Sequence, residues 1–248
     1  MIQWFNDSIP CSLSTSVLAF ADSRKAAEEE GARLPAEIVR INSEFPERTL
    51  IGYVVEHLRS GRVLGMPTDT FYGLAADPFN LREVELIYDI KSRSKHKPLS
   101  LLIESEEQAA ELAKSLPPEF YILATKYWPG PLTIIVKAAS RLPLKVTANT
   151  GNVALRVPAA EIPLAVVREA GIPVTATSAN VSGGAECTTA EGVREQLGDK
   201  LPMIVDGGPS PRTVASTIVD LSGDTGPWRV LREGAIPSQE IAALLKQE

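Results

Sequence analysis

The densest chemistry in the chain is the run Lys91-Ser92-Arg93-Ser94-Lys95-His96-Lys97-Pro98, with four fixed positive charges and a histidine close together. Such a cluster can neutralise phosphate or carboxylate oxygens. It can equally be a helix C-terminus, where the dipole favours cations, followed by a solvated loop. Two more stretches carry polar groups at strand ends. In Pro67-Thr68-Asp69-Thr70-Phe71-Tyr72-Gly73-Leu74, two hydroxyls and a carboxylate could meet a ligand or satisfy the backbone of a turn. In Pro173-Val174-Thr175-Ala176-Thr177-Ser178-Ala179-Asn180, an apolar strand opens into small hydroxyl and amide residues, and Ser182-Gly183-Gly184 follows. That loop is either a helix-capping turn or a place where backbone N–H groups and serine hydroxyls contact phosphate oxygens. Arg156 ends a further strand. It is a surface charge or a planar clamp for a carboxylate. Together these parts suit an anionic small molecule bearing phosphates.

Other chemistries lack their residues. There is no Gly-x-x-x-x-Gly-Lys-Ser/Thr phosphate loop and no dinucleotide fingerprint after the first strand. With two histidines, and with Cys11 and Cys187 far apart, neither a histidine-based triad nor a zinc hydrolase is expected. His57 reads as a surface or packing residue of a helix. Phosphoryl and nucleotidyl transfer remain compatible, because positioning and charge neutralisation carry most of that work.

The elements that must hold these groups alternate along the chain. Helical periodicity predicts helices over 49–60, 80–90, 106–114, 118–126, 161–170, 188–197 and 237–246. Short apolar runs predict strands over 62–66, 99–103, 132–137, 152–158, 203–206, 215–221 and 228–232, besides the one that opens at Pro173. Asn80 is placed to cap the helix before the basic loop, with Glu83 in capping-box position. The interleaving predicts an α/β fold with a mixed sheet. Residues 1–46 read as a loosely packed extension, 47–240 as the main domain and 241–248 as the end of the closing helix.

The 248 residues are 44% apolar and 23% charged, with a formal net charge of −6. That suffices for one large domain or two small ones. A general nucleic-acid binder would be basic, so any polyanion must be met by a local patch. Two scattered cysteines fit a reducing compartment. No apolar run approaches the roughly 20 residues of a membrane span, and the N-terminal region lacks the basic-then-apolar order of a signal peptide. The expected location is cytoplasmic, without a membrane partner.

Taken together, Lys91-x-Arg93 and Ser178-x-Asn180 resemble the signature of the YrdC-like family of threonylcarbamoyl-AMP synthases. So do Pro67-Thr68-Asp69-Thr70-x-Tyr72-Gly73-Leu74, Trp128-Pro129-Gly130-Pro131-Leu132-Thr133, Ala154-Leu155-Arg156-Val157-Pro158, Ser216-Thr217-Ile218-Val219-Asp220 and Leu231-Arg232-Glu233-Gly234-Ala235-Ile236. The motifs stand in the family's order and span roughly residues 48 to 240.

The resemblance implies the family fold, a single-domain twisted open mixed α/β sheet with flanking helices and a concave, locally basic face, with 47–240 as its catalytic domain. It also implies an enzyme that condenses L-threonine, bicarbonate and ATP into threonylcarbamoyl-adenylate and pyrophosphate. A tRNA threonylcarbamoyl transferase complex would be the partner, and direct contact with tRNA or double-stranded RNA is compatible with it. Magnesium would arrive on the ATP, with no direct side-chain ligand. By motif, Lys91 and Arg93 would be the catalytic cations. Thr70, Leu102, Arg156, Ala176 and Ser216 would line the threonine site. Arg93, Lys97, Asn152, Ser178, Asn180, Glu186 and Arg232 would hold the nucleotide. Two positions depart from the pattern: Leu102 stands where many members carry histidine, and Glu186 where a serine commonly contacts nucleotide. The resemblance implies a short form, without the extra C-terminal domain of the long forms. Two other readings compete. One is an RNA-binding module without catalysis, motivated by the basic loop. The other is a carbamoyltransferase domain of the hydrogenase-maturation type, whose acylphosphatase and zinc-finger-like modules are not visible here.

Overall fold

The computed structural model describes residues 35–223 and 228–246. Expectations for residues before 35 lie outside the described residues. In chain order the strands are β1 (Glu37–Arg40), β2 (Leu64–Met66), β3 (Gly73–Ala75), β4 (Ser100–Leu102), β5 (Leu132–Lys137), β6 (Asn152–Arg156), β7 (Val174–Thr175), β8 (Thr177–Ser178), β9 (Met203–Asp206), β10 (Thr217–Asp220) and β11 (Arg229–Arg232). The helices are α1 (Arg48–Arg59), α2 (Leu81–Lys91), α3 (Glu106–Leu112), α4 (Pro118–Tyr127), α5 (Glu161–Ala170), α6 (Ala190–Leu197) and α7 (Ser238–Leu245).

The mixed α/β class is as expected, but the strands fall into two sheets rather than one. Their orders are β1-β9-β2-β3-β8 and β11-β10-β5-β6-β4-β7, each with parallel and antiparallel pairs. The strand that opens at Pro173 explains the division. Val174 and Thr175 pair with Leu102 and Leu101 in the six-stranded sheet. Thr177 and Ser178 pair with Leu74 and Gly73 in the five-stranded one. The chain changes sheets at Ala176, whose N–H donates to the Ser100 carbonyl at 2.7 Å. Strand β1 is a second difference. It lies within the stretch expected as an extension, yet it pairs in parallel with β9 along its whole length. Its partner is remote in sequence, and four residues give too short an alternation to stand out.

Period-two alternation gives the six-stranded sheet two distinct faces. Leu101, Leu132, Ile134, Val136, Val153, Leu155 and Val219 enter the main core, with Val84, Ile87 and Ile90 of α2 and Phe120 and Leu123 of α4. Each such large side chain contributes about 1.5–3 kcal/mol when fully buried. The intervening residues of the same strands, Ser100, Leu102, Thr133, Ile135, Ala154, Arg156 and Ile218, face a cleft instead.

Helix ends follow local chemistry. Asn80 Oδ1 accepts the Arg82 N–H at 3.1 Å, as an N-cap should. The expected reciprocal capping box does not form. Glu83 accepts instead from the Asn80 side-chain amide (2.5 Å) and from the Asp77 N–H (3.0 Å), because the Asn80 N–H is already bonded to the Asp77 carbonyl. Ser92 closes α2 in the left-handed region, at φ 50°. His57 packs its ring edge-on against Tyr53, as expected of a packing residue.

Candidate functional site

The cleft has a volume of about 720 Å³ and is walled on one side by the six-stranded sheet. The opposite lining comes from the Thr68–Gly73 turn, the Ala176–Ser178 crossover and the loop after α2. Remote stretches therefore converge: Arg93, Arg156, Ser178 and Ser216 all line this one hollow.

The four cations of the basic loop do not share one environment. Arg93 and Lys97 line the cleft. Arg93 Nη2 donates to the Pro98 carbonyl at 3.0 Å, and among the described residues its buried Nε has no hydrogen-bond partner. Burial pushes the Arg93 guanidinium below its ordinary pKa. The Lys97 carbonyl lies 3.0 Å from the Tyr88 hydroxyl. Lys95 is exposed and paired with Glu85 at 3.0 Å, as is Lys145.

Lys91 does not line the cleft, contrary to the expectation of a reacting-site cation. It is 1% exposed. Its ammonium donates to the Ser178 carbonyl, to the Asn180 carbonyl at 2.8 Å and to Asn180 Oδ1 at 3.0 Å. Burial, assisted by the Arg93 charge, lowers its pKa to about 8. A desolvated ammonium needs acceptors on every side, and this turn supplies them.

Asn180 likewise stays behind the wall. Its Oδ1 also accepts from Ser178 Oγ at 2.7 Å, and its Nδ2 donates to the Gly184 carbonyl at 2.7 Å. The backbone amides of the following loop are not presented as a phosphate cradle either. Those of Ala179, Asn180, Ser182 and Gly184 donate to carbonyls of Tyr72, Ser178, Lys91 and Val181. Of the Ser178-x-Asn180 pair, only Ser178 reaches the cleft. Asn152 shares a face of β6 with Ala154 and Arg156 but does not line the cleft.

Arg156 is 6% exposed, and burial lowers its pKa while the Asp69 carboxylate counters that effect. Its fork is largely committed. Nε donates to the Gly130 carbonyl (2.9 Å), Nη1 to Thr70 Oγ1 (3.0 Å) and Nη2 to Asp69 Oδ1 (2.6 Å). The remaining N–H groups of the guanidinium make no hydrogen bond among the described residues. Thr68 serves the turn itself, accepting the Thr70 N–H at 3.1 Å.

Across the cleft, Arg232 grips Ser216. Its Nη2 donates to the Ser216 carbonyl at 2.8 Å and to Oγ at 3.1 Å, and its Nε donates to the same carbonyl at 3.1 Å. Ser216 Oγ is also hydrogen-bonded to Thr133 Oγ1 at 2.9 Å. Burial lowers the Arg232 pKa, opposed by Glu186. Leu102 and Ala176 supply apolar lining, and Glu186 sits at the cleft without a hydrogen bond or ion pair among the described residues. Thr133, Asp69 and Arg212 complete the arrangement. Thr133 was legible only as part of a motif, and Arg212, which bonds Asp69, carried no signal in the sequence.

The donor set fits phosphates and a carboxylate better than a bare metal ion. Among the described residues, no three His, Cys, Asp or Glu are placed to hold a cation, and Glu186 is the only carboxylate lining the cleft.

The family model for Sua5, YciO and YrdC, described as “Telomere recombination”, matches residues 56–234. The chain belongs to this family. A threonylcarbamoyl-AMP synthase of Pyrococcus abyssi is 37% identical over 202 residues, covering 82% of this chain and 58% of the relative. One of Vibrio parahaemolyticus is 34% identical over 183 residues, covering 73% of this chain and 97% of the relative. The solved structure of Pyrococcus abyssi Sua5 complexed with L-threonine matches with a TM-score of 0.80 at 35% identity, covering 84% of this chain and 60% of that one. The chain thus spans less than two thirds of the length of its Pyrococcus relative.

Proposed function

We propose that this member of the Sua5/YciO/YrdC family is an L-threonylcarbamoyladenylate synthase supplying the threonylcarbamoyladenosine modification of tRNA. The observation that carries the reading is the convergence of Arg93, Lys97, Arg156, Ser178, Ser216 and Arg232 on one cleft. The relatives named as threonylcarbamoyl-AMP synthases and the threonine complex of a relative support it.

The threonine carboxylate is held by the remaining N–H groups of Arg156, with Thr70, Ala176, Leu102 and Ser216 around the side chain. Its amine takes up bicarbonate with loss of water, giving a carbamate. A carbamate oxygen then attacks the α-phosphorus of ATP, the α–β phosphoanhydride bond breaks, and pyrophosphate leaves. Both partners in that step are anions. Arg93, Lys97 and Arg232 reduce their repulsion, which is strong in a partly desolvated cleft. Magnesium carried on the phosphates would supply further neutralising charge, and Glu186 is the carboxylate that lines the cleft. No side chain acts as a nucleophile. Holding the reactants in line contributes several kcal/mol by order of magnitude, and exclusion of water protects the adenylate.

Thermal shift tests the reading against the RNA-binding alternative. MgATP with threonine is expected to raise the melting temperature more than either alone, by linkage to binding. Stabilisation by RNA only, steeply weakened by salt, would contradict it.

A further inference from the structure

Arg156 alone is poorly equipped to attract a carboxylate. Its Nη2 lies 2.6 Å from Asp69 Oδ1, and Asp69 is 1% exposed. A guanidinium matched by one buried carboxylate has almost no net charge to offer a second one. The other Asp69 oxygen, Oδ2, is engaged by Arg212 Nη1 at 3.4 Å, and the same Nη1 donates to the Asp69 backbone carbonyl at 3.3 Å. Two guanidinium groups and one carboxylate leave the trio with a surplus positive charge. Arg212 itself does not line the cleft, and its side chain is 43% exposed.

Arg212 also fastens the segment that delivers the far wall. The chain between β9 and β10 is held at one end by the Ser210 N–H, which donates to the Thr188 carbonyl at 2.7 Å. At the other end the Ala215 carbonyl accepts the Ala235 N–H at 2.9 Å. Between them residues 211–214 are exposed. Among the described residues, Arg212 is the only one of these four to hydrogen-bond the rest of the molecule.

We propose that Arg212 is a positioning residue for carboxylate recognition: by sharing buried Asp69 with Arg156, it holds Arg156 in place and leaves the Arg156 charge uncancelled for an α-amino acid carboxylate in the cleft. The proposal rests on the reading of this cleft as an amino-acid site. It extends that reading to a residue outside the cleft and outside the motifs. The ligand class follows from the charge: a small monoanion gains from the surplus, while phosphates held by Arg93, Lys97 and Arg232 do not depend on it.

The test is calorimetric titration of L-threonine, in the presence of a non-hydrolysable MgATP analogue, into wild-type protein, Arg212→Gln and Arg212→Lys. Arg212→Gln is expected to raise the threonine Kd at least about tenfold, because Arg156 is then paired one-to-one with Asp69. The analogue's own Kd should stay within about twofold and the melting temperature within about 2 °C, since the lost contacts are partly exposed. Arg212→Lys, which keeps the charge but not the fork, should recover most of the affinity. Unchanged threonine affinity in Arg212→Gln overturns the proposal. So does a parallel loss of threonine, analogue and thermal stability, which marks a general structural role. Wild-type protein that binds the analogue but no threonine sinks the amino-acid reading of the cleft, and this proposal with it.

Discussion

Lys91 and Asn180, 89 residues apart, are joined twice: Nζ of the lysine donates to the backbone carbonyl of the asparagine at 2.8 Å and to its Oδ1 at 3.0 Å. A third bond runs to the Ser178 carbonyl. The ammonium form has an N–H for each acceptor, whereas a neutral amine is one short. With the pKa lowered to about 8 by burial and by Arg93, the lysine loses its proton just above neutrality. Nucleotide affinity is therefore expected to fall severalfold between about pH 7 and about pH 9, as the turn carrying Ser178 loosens. Titration of MgATP at both pH values checks this, and a constant Kd would contradict it.

Arg93 lines the cleft, whereas Lys95, two residues on, is exposed and paired with Glu85. Arg93→Ala is expected to slow pyrophosphate release at least about tenfold, equivalent to about 1.4 kcal/mol of transition-state stabilisation. Lys95→Ala should stay within about twofold of wild type, because an exposed ion pair contributes little. Equal losses in the two variants would mean that overall loop charge, rather than Arg93 in the cleft, matters.

Gly234 is where the backbone closes over Ser216. A Cβ built there would run into the Ala215 carbonyl oxygen and sit 2.6 Å from the Ser216 carbonyl carbon. Both obstacles are backbone atoms and cannot rotate away. Gly234→Ala is expected to cost about 1–3 kcal/mol in urea unfolding. It should also weaken threonine binding by shifting Ser216. A variant of wild-type stability and affinity would show that the strand and turn can separate freely.

Glu83, buried at the start of α2, has its carboxyl pKa raised from 4.5 to about 7, mainly by burial, with the Asp77 charge adding to it. Between those values the folded chain holds a proton that the unfolded chain has released. This group therefore lowers folding stability as pH rises through the window, and the loss is complete above about pH 7. Glu83→Gln is expected to flatten the pH dependence of the melting temperature between about pH 5 and about pH 7.5. A slope identical to wild type would show that Glu83 is ionised throughout.

Much of this arrangement was legible in the chain itself. The β-branched run from Leu132 to Lys137 announces a strand, and β5 forms over the expected residues, with Ile134 in the core and Thr133 and Ile135 in the cleft. The Asn80 cap and the end of the 161–170 helix are local signals too, and both hold. What the sequence hid depends on distant partners. Lys91 looked like a ligand cation because nothing nearby shows that Ser178 and Asn180 enclose it. Arg212 sits in a Gly- and Pro-rich connection with no motif, and its meaning comes from Asp69, 143 residues earlier. The change of sheet at Ala176 is invisible to periodicity, since Val174 to Ser178 reads as one strand until its two pairing partners are known.

The claim on which the rest depends is that one cleft seats threonine beside ATP and joins them through bicarbonate. Purified protein incubated with L-threonine, MgATP and labelled bicarbonate, followed by chromatography, tests it directly. A labelled threonylcarbamoyl-adenylate is expected, formed with pyrophosphate in equal amount, lost when threonine is omitted and formed at least about tenfold more slowly when Arg93 is replaced by alanine. Folded protein that binds MgATP and threonine yet forms no labelled adenylate would contradict it.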